Sequence, residues 1–356
     1  MENEGARQAV REREQAAWFC AYTPVEVLSA AGLEPVRLFG SQGNTDSADS
    51  ILGTNICPYV SACLEQGLGG SAPRAVVFAG CCDSMRRLSD AWSYYCGPEF
   101  AHIMDVPRSG NGVSLELYRA AIEDLIRALE EYRGRAITSQ ALASAILKRS
   151  RADAGLARIS AEPHRSAEEY LDAFTEAQSI TPEKFVQKVG ERLRSCYPAG
   201  QSGTRKAVIV TGNLIRPGTV LEVIDDCGAA VVSLDLCSAE RYVTWDAEVP
   251  LEAVQNATRD ELVEEVARRY MSRTPCPRML NKADRHERIA ADAVRLGASG
   301  VVIVPLMFCD PFLYDLPSLE KHLYDAGIPS LVLQSDYQDA SVGQLTTRVE
   351  AFMEMI

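Results

Sequence analysis

No stretch of this sequence is long and apolar enough to cross a bilayer. The longest run, near residues 300–308, falls well short of the ~20 residues a membrane helix needs. The opening residues, MENEGARQAVREREQ, carry charge of both signs and no apolar leader core, which points to a cytoplasmic chain with no membrane partner. Cations are not in excess either. Lys and Arg number 36 against 49 Asp and Glu, a formal net charge of -13, and so acidic a chain excludes broad binding to nucleic acid while leaving room for a local basic pocket. The GxxxxGK[ST] pattern is missing, which excludes nucleotide hydrolysis through a P-loop, and no GxGxxG follows a strand. The four histidines, His102, His164, His286 and His322, form no HExxH, and each reads as a solvated or hydrogen-bonded side chain. A Cys–His nucleophile pair has no local signature. Arg86-Arg87 and Arg205-Lys206 read as solvated surface before they read as phosphate ligands.

What the chain does have is cysteine, eleven in 356 residues. A reducing compartment disfavours disulfides, and the lack of any CxxC weakens zinc-ribbon and thioredoxin-like readings. Free cysteine is also among the most buried residue types, so the plain alternative for each is a place in a core. At 47% hydrophobic and 24% charged the composition is that of a folded soluble chain, long enough for two or three domains.

Four segments share one grammar: an amphipathic helix, a glycine stop, then a β-branched run. They are residues 25–32 into 35–39, 220–228 into 229–234, 289–297 into 301–304, and 319–327 into 330–333. A glycine takes the left-handed turn past a helix end without strain, and the apolar run that follows reads as a strand buried on both faces. Residues 75–79 and 207–211 are strands of the same style. This alternation predicts an α/β protein with parallel sheets. Residues 113–196 contain no convincing strand. Leu115, Ile122, Leu125 and Leu129 recur at helical spacing, Ser166 with Glu169 forms a capping box, and Thr181-Pro182 starts another helix. Such helices are expected to cover a core. Residues 197–206, rich in Gly, Ser and Pro, read as a linker. The expected organisation is therefore an N-terminal α/β domain at 1–112, a helical region with linker at 113–203, and a C-terminal α/β domain at 204–356. In class terms, this is two Rossmann-like parallel-sheet domains with an intervening helical region.

Ligands of open α/β sheets bind beyond the carboxyl ends of the strands. Cys82, Cys237 and Cys309 fall there, and Cys57 opens a helix in Asn55-Ile56-Cys57-Pro58-Tyr59. Helix starts and strand ends favour thiolates, and three thiolates converging on one cleft suit an iron–sulfur cluster or another soft metal.

These segments resemble the 2-hydroxyacyl-CoA dehydratase family, which also contains benzoyl-CoA reductase subunits. The resemblance runs from Tyr22-Thr23-Pro24 through Ala30-Ala31-Gly32 and Pro35-Val36-Arg37-Leu38. It continues over Asn55-Ile56-Cys57-Pro58-Tyr59, Cys82-Asp83-Ser84-Met85-Arg86-Arg87, Leu236-Cys237, Arg241-Tyr242 and Pro275-Cys276-Pro277. It ends with Phe308-Cys309-Asp310-Pro311, Gln344, Thr347-Arg348 and Glu350-Ala351-Phe352. The helical middle carries little of it.

The resemblance implies a [4Fe-4S] cluster between the α/β domains, held by Cys57, Cys82 and Cys309, with one iron open to water or a thioester oxygen. It implies an acyl-CoA substrate and a separate ATP-dependent iron–sulfur activator that supplies one electron, in keeping with the missing P-loop. The implied reaction is a lyase reaction: a ketyl radical expels the 2-hydroxyl of a 2-hydroxyacyl-CoA and yields the 2-enoyl-CoA. It also implies a homologous second dehydratase subunit. The catalytic base is not identified by the motifs. A related group holds a double-cubane cluster in a homodimer, and Cys57, Cys82, Cys237, Cys276 and Cys309 match cysteines of that group. Its further cysteine motif between Cys57 and Cys82 is missing, its Gly-Lys-Lys run after Cys82 is missing, and Cys309 is followed by Asp where that group has His. Cys237 and Cys276 are therefore secondary candidates. Of Cys81 and Cys82, only Cys82 is expected to face the cleft. Cys20, Cys63, Cys96, Cys196 and Cys227 are expected to be without function, and Asp83 and Asp310 to orient the loops by accepting backbone N–H bonds. A non-catalytic scaffold or electron-transfer paralogue is the reading from another class.

Overall fold

The computed structural model describes residues 14–110, 112–162, 166–195, 205–216, 218–245, 248–337 and 342–356. The first part of the chain runs β1 (Gln15–Trp18), α1 (Val25–Ala30), β2 (Glu34–Arg37), α2 (Asp46–Leu52), α3 (Pro58–Leu68), β3 (Ala75–Ala79), α4 (Asp83–Tyr95) and β4 (Phe100–Met104). Four helices follow: α5 (Gly112–Arg133), α6 (Ser139–Ser160), α7 (Ala167–Ser179) and α8 (Pro182–Ser195). The remainder runs β5 (Lys206–Gly212), α9 (Thr219–Asp226), β6 (Ala229–Asp235), a short 3-10 turn at Glu240–Tyr242, α10 (Leu251–Val254), α11 (Arg259–Met271), α12 (Ala283–Leu296), β7 (Gly300–Val304), α13 (Asp310–Asp325), β8 (Ser330–Val332) and α14 (Val342–Met355).

The strands form two four-stranded sheets, ordered β2-β1-β3-β4 and β6-β5-β7-β8, with every pairing parallel. The predicted α/β class holds, and the winding is the same in both sheets. In each, the first strand is central and the next two lie on opposite sides of it, so a crevice opens at their carboxyl ends. The second strand beside each crevice, β3 (AVVFA) or β7 (GVVIV), is buried along its whole length because helices cover both faces. The glycine stops are real: Gly297 is the left-handed cap of α12 at φ 65°, and Gly32, Gly228 and Gly327 also have positive φ. Gly212, the last residue of β5, has another reason. A Cβ there would lie 2.4 Å from the carbonyl oxygen of Val304, so only glycine lets β5 and β7 close up beside the crevice.

The described residues of 112–195 form four helices joined by short turns and no strand, as expected. Ser166 accepts the N–H of Glu169 at 3.1 Å, but the return bond of a capping box is not made; the complete box is at Thr258 and Glu261. Thr181 accepts the N–H of Lys184 at 3.4 Å in front of Pro182. The helices do more than cover a core, which corrects that expectation. α7 packs against β2 on one side and against α9 and β6 on the other, while α6 packs on α1 and α5 on β4. One apolar cluster consequently runs from Trp18 and Val77 through Leu125 and Phe174 to Val210 and Tyr270, joining both sheets. The predicted linker lies outside the described residues up to 204; Lys206 already belongs to β5. Among the described residues no helix is long and apolar enough to cross a membrane.

Candidate metal centre

The two crevices open onto one cavity of about 110 Å³. At roughly 10–15 Å³ per water, that is room for several waters or a compact inorganic group. Each strand beside a crevice delivers a residue to it: β1 gives Cys20, β3 gives Cys81 and Cys82, β5 gives Asn213, and the segment after β7 gives Leu306 and Cys309. Cys57, Cys237 and Cys276 complete the cysteine lining, while Phe19, Tyr59, Leu214 and Phe312 make the rest largely apolar.

Cys57, Cys82 and Cys309 share one local geometry. Each is the N-cap of a helix, α3, α4 and α13 respectively, with ψ of 120°, 170° and 83°. The N-cap must leave helical ψ, which turns its side chain away from the helix and toward the strand ends. Pro58 and Pro311 in the first turns fit because those N–H groups have no intrahelical partner. The amides of Tyr59 and Val60, of Met85 and of Phe312 favour the thiolates of Cys57, Cys82 and Cys309, although none closes a capping hydrogen bond. Burial, reinforced by Cys82, pushes the Cys57 thiol up to about 12, and burial with Cys57 nearby pushes Cys309 well above the ordinary range. Cys82 moves down, because a hydrogen bond from the neighbouring Cys81 thiol outweighs its burial. Asn213 donates from Nδ2 to Cys309 Sγ at 3.2 Å, and its Oδ1 accepts the Leu306 N–H at 3.0 Å.

Several expectations are corrected. Cys81 lines the cavity as well as Cys82: β3 ends at Ala79, and the tight turn of Cys81 N–H onto the Ala79 carbonyl (2.6 Å) breaks the strand alternation that would have pointed it away. Cys20 also lines the cavity, because β1, absent from the predicted strands, ends two residues before it. Asp83 is exposed and pairs with Arg87 at 3.4 Å instead of accepting backbone bonds, and Asp310 is exposed as well. Both acids nonetheless sit in the first turn of a helix, where its dipole favours them. Cys63 is fully buried in a core, Cys96 and Cys227 lie off the cavity, and Cys196 is outside the described residues.

The secondary candidates have their own contacts. Cys237 accepts from Arg37 through its carbonyl (2.7 Å) and its sulfur (3.7 Å). Burial pushes the Cys276 thiol up to about 11. His286 is bound to Asp315 at 2.9 Å, His322 lies 3.9 Å from Glu287, His102 is partly buried in β4, and His164 is outside the described residues. Arg86 pairs with Asp105 and Arg205 with Asp225, so neither basic pair is held ready for phosphate.

Among the described residues no three His, Cys, Asp or Glu side chains are gathered closely enough to enclose a single metal ion. What the cavity offers is seven cysteine sulfurs and the Met85 thioether spread around its wall, with no carboxylate and no imidazole among its lining residues. That donor set fits a soft, thiophilic group larger than one ion.

A family model described as 2-hydroxyglutaryl-CoA dehydratase, D-component, matches residues 20–356. The chain is 26% identical over 352 residues to the lactoyl-CoA dehydratase subunit beta of Anaerotignum propionicum, covering 94% of this chain and 90% of that one. It is 24% identical over 362 residues to the (R)-phenyllactyl-CoA dehydratase beta subunit of Clostridium sporogenes, with the same coverage. It is also 24% identical over 339 residues to a benzoyl-CoA reductase subunit of Thauera aromatica, covering 91% of this chain and 86% of that one.

Proposed function

The chain belongs to the 2-hydroxyglutaryl-CoA dehydratase D-component family, and on that premise we propose that it is the iron–sulfur subunit of a 2-hydroxyacyl-CoA dehydratase. It removes water from a 2-hydroxyacyl-CoA to give the 2-enoyl-CoA, beside a homologous second subunit and an ATP-dependent activator. One observation carries the reading: Cys57, Cys82 and Cys309 cap three helices that start at one cavity shared by both sheets. These three would hold a [4Fe-4S] cluster. When bound, the cluster supplies one-electron chemistry and an iron not taken by the protein.

The chain's own residues prepare that site. The helix starts present amide dipoles to the three sulfurs, so the thiols that burial keeps protonated release their protons as metal binds. Asn213 fixes the direction of the Cys309 sulfur. Phe19, Tyr59, Leu214 and Phe312 exclude water, which protects a radical reaction from quenching.

A second reading is favoured by Cys20, Cys81, Cys237 and Cys276, four further sulfurs on the same wall. They suit a larger group, as in the double-cubane reductases. Iron and acid-labile sulfide per chain, measured anaerobically with an EPR spectrum after reduction, separate the readings. About four irons support the dehydratase site, and about eight support the double-cubane one. In the first case Cys57→Ser, Cys82→Ser and Cys309→Ser each lose most of the iron while Cys63→Ser keeps it. A chain that takes up no iron after anaerobic reconstitution overturns both readings and leaves a scaffold role.

A further inference from the structure

Arg37 is 2% exposed, and none of its hydrogen bonds goes to a carboxylate: they reach the Phe19 carbonyl (3.0 Å), Gln178 Oε1 (2.6 Å), the Cys237 carbonyl (2.7 Å) and the Cys237 sulfur (3.7 Å). It is wedged between the rings of Trp18 and Phe39, at 5.1 and 5.3 Å. Arg278, half-buried on the same cavity, donates to the Val106 and Pro107 carbonyls at 2.7 and 2.9 Å, and its Nε is buried without a partner. Among the described residues neither guanidinium has a carboxylate within ion-pairing distance.

Carbonyls satisfy N–H groups but cancel no charge, and a guanidinium cannot shed its proton to escape burial. Two other arginines near the cavity do have carboxylate partners. Arg241, which also lines the cavity, is paired with Asp235 at 2.8 Å, and the fully buried Arg285 with Asp235 and Asp315, whereas the buried Arg273, off the cavity, is satisfied by the Ala21 carbonyl (2.7 Å) and the Thr244 hydroxyl (3.0 Å). The chain has 49 acidic residues to place, yet none lines this cavity. Arg37 and Arg278 differ from Arg273 in lying on a cavity, whose occupant can supply the missing counter-charge.

We propose that Arg37 and Arg278 are positioning residues for an anionic occupant of this cavity and stabilise its more negative, reduced state. The inference rests on the function proposed above, in which that occupant is the cluster with its three thiolates. Three thiolates on a doubly positive core leave one negative charge, and an added electron makes two. A fixed cation at the wall favours the second state more than the first.

The test is an anaerobic, EPR-monitored redox titration of the iron-loaded full chain. Arg37→Gln and Arg278→Gln are each expected to lower the reduced-to-oxidised ratio about tenfold at a fixed potential, a shift of about 59 mV to more negative values for a one-electron couple. Arg37→Lys keeps the charge and should stay close to the parent, as should the exposed Arg86→Gln. Fully loaded Gln variants with unchanged potential overturn the assignment and leave the proposed function standing. An Arg37→Lys shift as large as that of Arg37→Gln also overturns it, since fork geometry and not charge would then matter. If Arg37→Gln does not fold, Arg278→Gln decides by the same criterion. A parent chain that binds no iron overturns the proposed function and this inference together.

Discussion

Asn213 holds one sulfur and one backbone amide with a single side chain, and both contacts fix which end of its amide is which. Removing it with Asn213→Ala leaves the Leu306 N–H unpaired and the Cys309 sulfur without its donor. Supporting residues of this kind typically change metal affinity about 10–100-fold when lost. Anaerobic competition with a chelator should show iron held that much more weakly in Asn213→Ala, with the iron stoichiometry at saturation unchanged. In the sequence, Asn213 is an unremarked polar residue after a strand, and such residues ordinarily make turns. The cysteines were more legible, since position after a buried strand or before a helical proline is itself a signal. That signal placed Cys57, Cys82, Cys237 and Cys309 on the cavity wall. It failed for Cys20 and Cys81, where one depends on an unseen strand and the other on a tight turn.

Elements are locked together behind the cavity by charge. Asp315 of α13, fully buried, accepts from Arg285 and from His286 (2.9 Å) of α12; Arg285 also reaches Asp235 at the end of β6 and Thr211 in β5, each at 3.1 Å. Asp315→Asn removes the charge and leaves Arg285 sharing Asp235 with Arg241. Breaking a buried pair from one side costs about 3–5 kcal/mol, measurable by denaturant unfolding. The pH dependence has a definite sign. Burial alone would raise the Asp315 pKa, but the His286 hydrogen bond and the Arg285 charge outweigh it and the net shift is downward. A depressed carboxylate contributes stability above its unfolded value and loses it as pH falls through the folded one. The acid limb of the stability curve should therefore be steeper in the parent than in Asp315→Asn. The elements themselves were readable where a glycine stop precedes a β-branched run, at β2, β6, β7 and β8, and from the apolar run alone at β3 and β5. Four-residue β1 was not, because QAAW has little strand propensity and owes its place to pairing with β2 and β3 and to long-range packing such as Trp18 on Tyr242. Edge strand β4 alternates between exposed and buried residues around His102 and carries too short a pattern to stand out.

At the scale of the molecule, two sheets of the same winding bring their carboxyl ends to one cavity, with helices α5 to α8 filling the space around both. The amphipathic spacing of those helices announced a buried face without saying what would cover it, so their bridging role was hidden in the sequence. Cys57 and Cys82 belong to the first sheet's connections and Cys309 to the second's. A group bound by all three ties the two sheets together only when both supply ligands. Binding to the folded state at a free concentration a hundredfold above Kd adds about 2.7 kcal/mol, which for a chain this long is a rise of a few degrees in the unfolding midpoint. Anaerobic calorimetry before and after stripping iron should show that fall in the parent. Cys309→Ser takes away the second sheet's ligand while leaving Cys57 and Cys82 in place, so its midpoint should respond little to the same treatment. If Cys309→Ser kept the full shift, the first sheet's cysteines would suffice alone and the cavity between the sheets would not be where the metal binds.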